Sequence, residues 1–339
     1  ERSWQNSDRR CLKGAKNMKN RTRERQRISG NGMKIAVGII CAVLILYLLS
    51  IVVMLLWGFL TSLKSESDFI DNVLGLPKTI KGDEYSSYYT LFQFKNYTDV
   101  IRQFHYTADT SFYSGQKLVQ HVSEQNFFTM LMNSLLYSLG NGFLQAIIPA
   151  IMAYMCAKYP YKFSKAVYMV VLIVMTLPIV GAYPSELLLL RNLGLYDTWY
   201  GNFIQRCSFT GMYFLVFYEF FKGKPDTYSE AAEIDGASQF VVMFRIYMPL
   251  AAKMIGSVLL IRFIFFWNDF SSIELYMPTH PTLAYFIYLL PSGKLSNDFG
   301  GKVTIVISAC MILALPTIIL FLLLHNKLMG SMTLGGIKE

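Results

Sequence analysis

The feature that most constrains this chain is a set of long segments without a single charged residue. They cover residues 35–63, 125–157, 166–185 and 303–324. Each is long enough to cross the roughly 30 Å hydrocarbon core of a bilayer as a helix that rises about 1.5 Å per residue. Only 16% of the 339 residues are charged, against about 25% in a typical soluble domain. The sequence therefore argues against a soluble enzyme and predicts an all-α integral membrane protein.

Two further segments are apolar but contain charged residues. Segment 199–220 is interrupted by Arg206, and segment 249–267 contains Lys253 and Arg262. Hydropathy alone does not decide whether these two segments cross the membrane, so the distribution of basic residues has to decide.

Basic residues indicate the orientation of the chain, because cytoplasmic loops of membrane proteins carry an excess of Lys and Arg. Residues 1–32 contain 10 basic and 3 acidic residues, and loop 158–165 contains three basic residues and no acidic one. Both regions are therefore predicted to be cytoplasmic, two crossings apart. Counting the two weaker segments as crossings predicts six transmembrane helices with both termini in the cytoplasm. Orientation thus explains the net charge of +9, and no nucleic-acid partner is expected.

The six crossings divide the chain into regions. Part of the basic leader is expected to be an artefact of the assigned start, because the first residue is Glu1 rather than methionine. The segment between the first two helices is rich in Tyr, Phe, Ser and Asp, which predicts a folded extracellular cap. The predicted regions are the cytoplasmic leader 1–34, the first transmembrane helix 35–63, the extracellular cap 64–128, the core with the other five helices 129–325, which includes the cytoplasmic loop 221–248, and the tail 326–339.

The cytoplasmic loop is predicted to form two short helices joined by a turn. Thr227 precedes Glu230 by three residues, the spacing of a capping box at the start of a helix. Gly236 allows a sharp turn. Residues 237–246 are then expected to form the second helix, which stops before Pro249.

The loop resembles the EAA signature of permease subunits of bacterial ABC importers, which reads Glu-Ala-Ala, three residues, Gly, nine residues, Ile, one residue, Leu-Pro. One position departs from this pattern, since Met248 replaces the leucine, and the two side chains have similar volumes. The matching residues are Glu230, Ala231, Ala232, Gly236, Ile246 and Pro249.

Other elements resemble one branch of these permeases, the second permease subunit of maltose-type carbohydrate importers. The resemblance implies the fold of a type I importer permease in a bacterial plasma membrane, here with an unusually long first extracellular loop. The elements are Phe94-Lys95-Asn96-Tyr97, Asn133-Ser134-Leu135, Trp267-Asn268-Asp269-Phe270 and the terminal Gly335-Gly336-Ile337-Lys338.

The resemblance implies a complex with a second permease subunit, two cytoplasmic ATPase subunits and an extracellular sugar-binding protein. The sequence contains no phosphate-binding Gly-x-x-x-x-Gly-Lys-Ser/Thr motif, so ATP and Mg²⁺ are expected on the ATPase subunits and no cofactor or metal on this chain. No catalytic residue is expected either. The implied contacts with the ATPase are Glu230, Ala231, Ala232, Asp235, Gly236, Ala237, Ile246 and Pro249 in the loop, and Gly335, Gly336 and Lys338 in the tail.

Polar residues inside the apolar segments are candidates for a solute pathway. Asn133, Asn141 and Gln145 lie on one face of the second predicted span, where they either hydrogen-bond to neighbouring helices or line a route for a hydroxyl-rich solute. Arg262 is expected to face the interior, as an ion pair or as a sugar contact. Asn268 and Asp269 either bind sugar hydroxyls or end the fifth helix. Arg206, by contrast, is expected to snorkel to the outer surface.

The sequence thus predicts the membrane permease of an ATP-driven, binding-protein-dependent importer of sugars or oligosaccharides, which opens alternately to either side. Two alternatives remain open. The same architecture could import a non-sugar solute, or the chain could be an ion-driven secondary transporter.

Overall fold

The computed structural model describes residues 31–78, 92–114, 117–177, 181–292 and 302–329. The chain divides into two compact units, Glu1–Leu60 and Thr61–Glu339. Helix α1, Asn31–Ser62, makes up the described part of the first unit and ends just inside the second. Its side chains are apolar and exposed over almost the whole length, which is typical of a helix that lies in lipid.

The second unit begins with two short helices, α2 (Glu66–Asp71) and α3 (Lys95–Gln103). An antiparallel hairpin follows, formed by β1 (His105–Ser114) and β2 (Lys117–Asn126), in which His105 pairs with Asn126. The expectation of an all-α chain is wrong at this hairpin. Its strands together contain two residues each of Thr, Tyr and Val and are separated in the sequence by Gly115-Gln116, a hairpin pattern that counting apolar spans overlooks.

The rest of the second unit is helical as far as it is described. Helix α4 starts with a capping box in which Asn126 and Thr129 exchange hydrogen bonds. The helices are α4 (Phe127–Lys158), α5 (Lys162–Thr176), α6 (Ala182–Asn192), α7 (Trp199–Arg206), α8 (Met212–Lys222), α9 (Thr227–Ile234), α10 (Gln239–Leu250), α11 (Ala252–Trp267), α12 (Ser271–Tyr276), α13 (Leu283–Leu289) and α14 (Val303–Met329).

Three helices in the described part of the chain are long and apolar enough to cross a membrane: Met33–Ser62, Phe127–Lys158 and Val303–Leu323. The pair Gln239–Leu250 and Ala252–Trp267 qualifies as a fourth if it forms one span, although the two axes differ by 70°. The three single helices and the second helix of the pair coincide with predicted spans, whereas Gln239–Leu250 lies almost entirely in the predicted cytoplasmic loop. The count of six crossings stays a prediction.

The two remaining predicted crossings are not single helices. In segment 166–185, α5 ends at Thr176 and α6 begins at Ala182; in segment 199–220, α7 and α8 are separated by residues 207–211. Glycines with positive φ precede the second helix of each pair, Gly181 with φ 82° and Gly211 with φ 143°. Glycine adopts such conformations without the steric cost of a side chain.

Helix α4 lies centrally in the second unit and approaches α11 closely. A Cβ atom on Gly142 would lie 3.3 Å from the backbone nitrogen of Phe263, so the glycine permits this approach. Two apolar clusters form the core. The Trp267 cluster includes Tyr137 and Phe266, and the Tyr247 cluster includes Tyr154 and Phe221.

A carboxylate on α2 fixes the start of α14. Glu66 accepts hydrogen bonds from the backbone nitrogens of Val303 and Thr304, both at 3.2 Å, and from the Thr304 hydroxyl at 2.8 Å. Since the first turn of a helix has unpaired N–H groups and a partial positive charge, a carboxylate there is stabilising.

We expect Glu66→Ala to destabilise the protein by about 1–2 kcal/mol, because it removes this cap. The thermal midpoint of the detergent-solubilised protein should fall by about 2–4 °C for each kcal/mol lost. Asp71→Ala is the matched control, since Asp71 is exposed on the same short helix. Equal midpoints for the two variants would contradict a stabilising role of Glu66.

Candidate functional site

Residues 226–250 form two helices joined by a tight turn, which confirms the predicted helix, turn and helix. We call this segment the knob. Gly236 has φ 79°; its backbone nitrogen donates to the Glu233 carbonyl at 3.0 Å, and the Ala237 nitrogen donates to the Ala232 carbonyl at 2.9 Å. This is the Schellman arrangement that ends a helix with a left-handed glycine. The spacing from Ala232 to Gly236 is therefore the spacing of a helix end.

The predicted capping box at the start of α9 is wrong. The N-cap residue is Asp226, and its side chain makes no capping hydrogen bond. The Asp226 carbonyl instead accepts from the Ser229 hydroxyl at 2.7 Å and from the Glu230 nitrogen at 3.0 Å. The Asp226 carboxylate is not available for capping because it binds Lys158.

The predicted end of the second helix before Pro249 is also wrong, since α10 continues to Leu250. A five-residue π-helical segment, Met243–Tyr247, precedes the proline. Proline has no N–H to donate, so it interrupts the backbone hydrogen bonds of a helix. A π-helical segment, in which each N–H donates five residues back instead of four, accommodates such an interruption. The chain then turns at Ala251 and bends by 70° into α11.

Lys158, the last residue of α4, attaches the knob to the core. Its ammonium lies 2.7 Å from the Asp226 carboxylate, and the Lys158 side chain is only 7% exposed. It donates to the Lys224 carbonyl at 2.6 Å and lies 5.1 Å from the centre of the Tyr247 ring. One cation therefore joins the end of α4 to the start of α9 and to α10.

Aromatic side chains extend this attachment. The ring centres of Tyr154 and Tyr247 are 5.0 Å apart, and those of Tyr154 and Phe221 are 5.5 Å apart. Ala232 and Ala237, on either side of the turn, pack against the same Tyr247 cluster. A small side chain at these positions lets the knob lie close to the cluster.

A second polar contact joins the two helices of the knob to the end of α4. The Tyr159 hydroxyl donates to the Gln239 side-chain oxygen, and the Gln239 amide nitrogen donates to the Glu233 carboxylate at 2.6 Å. Gln239 thus connects α9, α10 and the residue that follows α4.

The opposite face of the knob is exposed and combines acidic with large apolar side chains. Ile234 is 86% exposed and Phe240 is 74% exposed. Glu230 and Asp235 are exposed as well, and among the described residues neither carboxylate has a side-chain partner. Large exposed apolar side chains beside charges mark a surface that binds another protein.

The remaining predicted coupling residues lie as follows. Ala231 and Pro249 are exposed, whereas Ile246 is half-buried and packs against the Tyr247 cluster. Gly335, Gly336 and Lys338 lie outside the described residues.

The predicted pathway residues of α4 differ in how their amides are used. Asn133 donates to the Pro281 carbonyl at 3.1 Å. Asn141 is buried and accepts from the Asn202 amide at 3.1 Å. Gln145 has a buried side-chain oxygen with no partner among the described residues. The two asparagines thus make contacts between elements, and Gln145 leaves an acceptor free.

Asn268 and Asp269 both act at helix ends. Asn268 is the C-cap of α11, and its amide donates to the Ile264 carbonyl at 2.8 Å. Asp269 accepts from the backbone nitrogen of Ser272 at 3.0 Å and from the Tyr137 hydroxyl at 2.9 Å. The helix-ending alternative is the one for which the structure supplies contacts.

Glu186 of α6 contacts α12 and α7. Its carboxylate accepts from the Tyr276 hydroxyl at 2.8 Å and from the Gln205 amide at 3.1 Å. Burial and the neighbouring Glu186 raise the pKa of Tyr276 to about 12. The hydroxyl therefore stays protonated near neutral pH and remains a donor.

Arg206 is partly exposed, and neighbouring side chains hold its guanidinium. Its guanidinium lies 5.5 Å from the centre of the buried Phe266 ring, and it donates to the Ser272 hydroxyl at 2.8 Å. Arg262 lies 4.8 Å from the centre of the Tyr213 ring. In the described part of the chain, neither arginine has a carboxylate within 4.0 Å, so the ion pair considered for Arg262 is not found there.

Sequence reasoning missed Lys158, Asp226 and Gln239 as parts of this site. The only signal for Lys158 was its position at the end of an uncharged segment, where it served merely as one basic residue of a cytoplasmic loop. Its partner Asp226 is 68 residues away in the sequence, and no local pattern indicates that contact.

Comparisons with known proteins agree with this description. The chain is 22% identical over 305 residues to the diacetylchitobiose uptake system permease protein NgcG of Streptomyces coelicolor, covering 88% of this chain and 87% of that protein. It is 26% identical to the arabinooligosaccharides transport system permease protein AraQ of Bacillus subtilis, covering 62% of this chain and 74% of AraQ.

A solved structure shares the fold. It is a bacterial ABC transporter involved in the import of the acidic polysaccharide alginate, with a TM-score of 0.64 and 21% identity, covering 85% of this chain and 95% of that one. The resemblance to importer permeases stated from the sequence is confirmed. Residues 145–329, more than half of the chain, match the family model of the inner membrane component of binding-protein-dependent transport systems, and the chain belongs to this family.

Proposed function

We propose that this chain is the membrane permease subunit of an ATP-driven, binding-protein-dependent importer of sugars or oligosaccharides. The observation that carries the proposal is the knob, a rigid helix pair with an exposed acidic and apolar face. The substrate class is supported by relatives named for diacetylchitobiose and arabinooligosaccharides, and by the melibiose, raffinose and stachyose import permease MelC of Bacillus subtilis.

The proposed assembly contains a second permease subunit, two ATPase subunits and an extracellular sugar-binding protein. ATP and Mg²⁺ bind to the ATPase subunits, and this chain binds no cofactor. The chain crosses a bacterial plasma membrane six times with both termini in the cytoplasm, in the manner of type I importer permeases. The excess of basic residues in 1–32 and 158–165 supports this orientation.

In this proposal the ATPase binds the exposed face of the knob, and Glu230 makes the principal polar contact with the ATPase. The knob continues through Ala251 into α11 and is tied by Lys158 to α4. A displacement of the knob therefore acts on two helices of the core at once. ATP binding shifts the population between outward-open and inward-open states through the different contacts of the knob in each. The tail residues Gly335, Gly336 and Lys338 add a second contact with the ATPase.

Two measurements distinguish two other functions from the proposed one. An ion-driven secondary transporter takes up solute in vesicles that contain this chain without any ATPase. An importer of a non-sugar solute requires the ATPase, but its ATPase activity is stimulated by that other solute and not by sugars. The proposed importer shows sugar-dependent ATPase activity only in the complete complex.

We expect Glu230→Ala to lower sugar-stimulated ATPase activity of the reconstituted complex about tenfold. The reason is that an interface side chain that contributes about 1–2 kcal/mol to the binding of the ATPase is lost. Glu219→Ala is the matched control, since Glu219 is an exposed glutamate at the end of α8, outside the knob. If both variants retain full activity and still co-purify with the ATPase, Glu230 has no role in coupling.

Lys158→Met tests how the knob transmits its displacement. The variant removes the ammonium that binds Asp226 and the Lys224 carbonyl and keeps an unbranched apolar side chain that is one heavy atom shorter. Amide hydrogen exchange of residues 224–240 should become faster, and stimulation of the ATPase by sugar should weaken although the ATPase still binds. Lys162→Met is the control, because Lys162 is exposed at the start of α5. Unchanged exchange in Lys158→Met would refute the attachment.

The proposed orientation predicts which residues a reagent reaches from outside the cell. In a cysteine-free background, Ser238→Cys in the knob should react with a membrane-impermeant maleimide only after the cells are permeabilised. Val122→Cys, at an exposed position on β2, should react in intact cells. Labelling of Ser238→Cys in intact cells would overturn both the orientation and the role of the knob.

A further inference from the structure

Helix α11 buries one face in the core and leaves the opposite face exposed. Leu260, Phe263 and Phe266 are buried, whereas Ile261 is 45% exposed and Phe265 is 56% exposed. Ile261 and Phe265 are one helical turn apart and therefore lie on the same face. In the proposed orientation α11 crosses the membrane, so this exposed face is covered either by lipid or by another protein.

Arg262 is half-buried next to this exposed face and connects it to α8. Its guanidinium lies 4.8 Å from the centre of the Tyr213 ring on α8 and 5.6 Å from that of Phe265. Val216, one turn along α8 from Tyr213, is 40% exposed. We call Tyr213, Val216, Ile261, Arg262 and Phe265 the arginine patch. The patch combines apolar side chains of two helices with one cation.

The charged end of Arg262 is accessible to whatever covers the patch. Among the described residues, no carboxylate lies within 4.0 Å of it. Its Nε is buried and has no hydrogen-bond partner, whereas the two terminal nitrogens are not among the buried atoms. Neither terminal nitrogen forms a hydrogen bond within that part of the chain. Two nitrogens of the guanidinium group therefore remain available as donors at the surface of the subunit.

Hydrocarbon cannot satisfy this guanidinium. A cation among acyl chains is costly unless an anion or water compensates it, and contact with aromatic rings offsets only part of the cost. Arg262 lies ten residues after the first residue of α11 and five before the last, Trp267, which corresponds to about 15 Å and about 7.5 Å along the helix. The guanidinium stacks on two rings beside the helix instead of extending to that end. An acceptor is therefore expected at this depth, beside the patch.

Within the described residues no acid of this chain reaches the patch, and a second copy of the chain would not supply one. Helix α11 contains no Asp or Glu, and the only acid of α8 is Glu219, six residues from Tyr213. In a twofold dimer centred on the patch, each subunit presents the same surface to the other. A second copy would therefore bring another guanidinium towards Arg262, and like charges repel. A different chain that carries a carboxylate complements the patch.

We propose that the arginine patch binds a transmembrane helix of the second permease subunit, and that this helix carries an aspartate or glutamate that pairs with Arg262. The proposal rests on the proposed function and specifies where the two permease subunits meet. The carboxylate accepts from the two accessible nitrogens of the guanidinium, a matched bidentate geometry. Val216, Ile261 and Phe265 supply the apolar contacts around the pair. Because the pair needs two different chains, it favours the heterodimer over a dimer of this chain.

Arg262→Met tests the pair in the complex of both permease subunits with the ATPase. The affinity between the two permease subunits should fall about tenfold or more, because the carboxylate is left without its partner. Arg262→Lys should restore part of this affinity, since lysine keeps the charge but not the planar fork. The measurement is the fraction of the second permease subunit that stays bound to the tagged chain as the purified complex is diluted.

Arg206→Met is the matched control, because Arg206 donates to Ser272 of the same chain at 2.8 Å. Its loss should lower the thermal midpoint of this chain expressed alone and leave the affinity for the second permease subunit unchanged. Arg262→Met should do the reverse, because its cation has no partner to lose within the described part of the chain. The contrast separates a contact between subunits from a contribution to folding.

A second measurement identifies the occupant of the patch directly. With p-benzoylphenylalanine in place of Phe265, irradiation of the complex in membranes should cross-link this chain to the second permease subunit. Charge exchange then identifies the acid. Arg262→Glu should prevent assembly, and replacing one intramembrane Asp or Glu of the second permease subunit by Arg should restore it.

Other results overturn the proposal, each in a recognisable way. Cross-links to phospholipid alone would show that lipid covers the patch, and cross-links between two copies of this chain would show that a second copy does. Undiminished affinity in Arg262→Met would refute the pair, and a lower thermal midpoint of that variant expressed alone would show that the arginine acts within its own chain. If the wild-type chain co-purifies with no second permease subunit and no ATPase, the proposed function itself fails, whatever the variants show.

Discussion

One ammonium group, that of Lys158, joins the end of α4 to the start of α9, and together with the contact between Tyr159 and Gln239 it attaches the knob to the core. A lysine side chain that is only 7% exposed is costly to bury unless its donors are satisfied, and here the ammonium binds a carboxylate and a carbonyl and faces an aromatic ring. Because Asp226 and Lys224 flank Pro225, the contact fixes the chain just where α9 begins. The same lysine ends α4, the helix against which α8 and α11 pack. The position of the knob is therefore determined relative to the core and not only by its own turn.

This attachment gives the EAA pattern a physical reading. Gly236 is required by the geometry of a helix end, since a Schellman turn needs a left-handed residue four positions after the first accepting carbonyl, here that of Ala232. The small side chains of Ala232 and Ala237 allow the turn to pack against the Tyr247 cluster. Glu230, by contrast, makes no contact that stabilises the knob, being exposed without a side-chain partner among the described residues. The pattern thus combines residues that build the turn with an exposed glutamate, for which we propose a contact with the ATPase.

The sequence predicted the elements that depend on local composition. The uncharged segments 35–63, 125–157 and 303–324 became long helices, and Gly236 became a turn, because apolar length and backbone freedom act within one stretch of chain. Contacts between distant residues decided the rest. The N-cap of α9 is Asp226, one residue before Thr227, and its carboxylate binds the distant Lys158. Helix α10 continues through Pro249, which has no N–H to donate, and a π-helical segment precedes the proline. The hairpin at His105–Asn126 was hidden because a search for apolar spans ignores alternating polar segments.

The polar residues of the core show why a candidate pathway cannot be read from helical spacing. Asn133 and Gln145 lie on the same face of α4, yet the first donates to a carbonyl and the second leaves its buried oxygen free among the described residues. An amide that is already paired gains little from a solute, because binding would only exchange one hydrogen bond for another. A free buried donor or acceptor gains the full value of the contact. Which amide of this face is already paired is thus decided by contacts with other elements, here with the Pro281 carbonyl for Asn133, and not by the periodicity of α4.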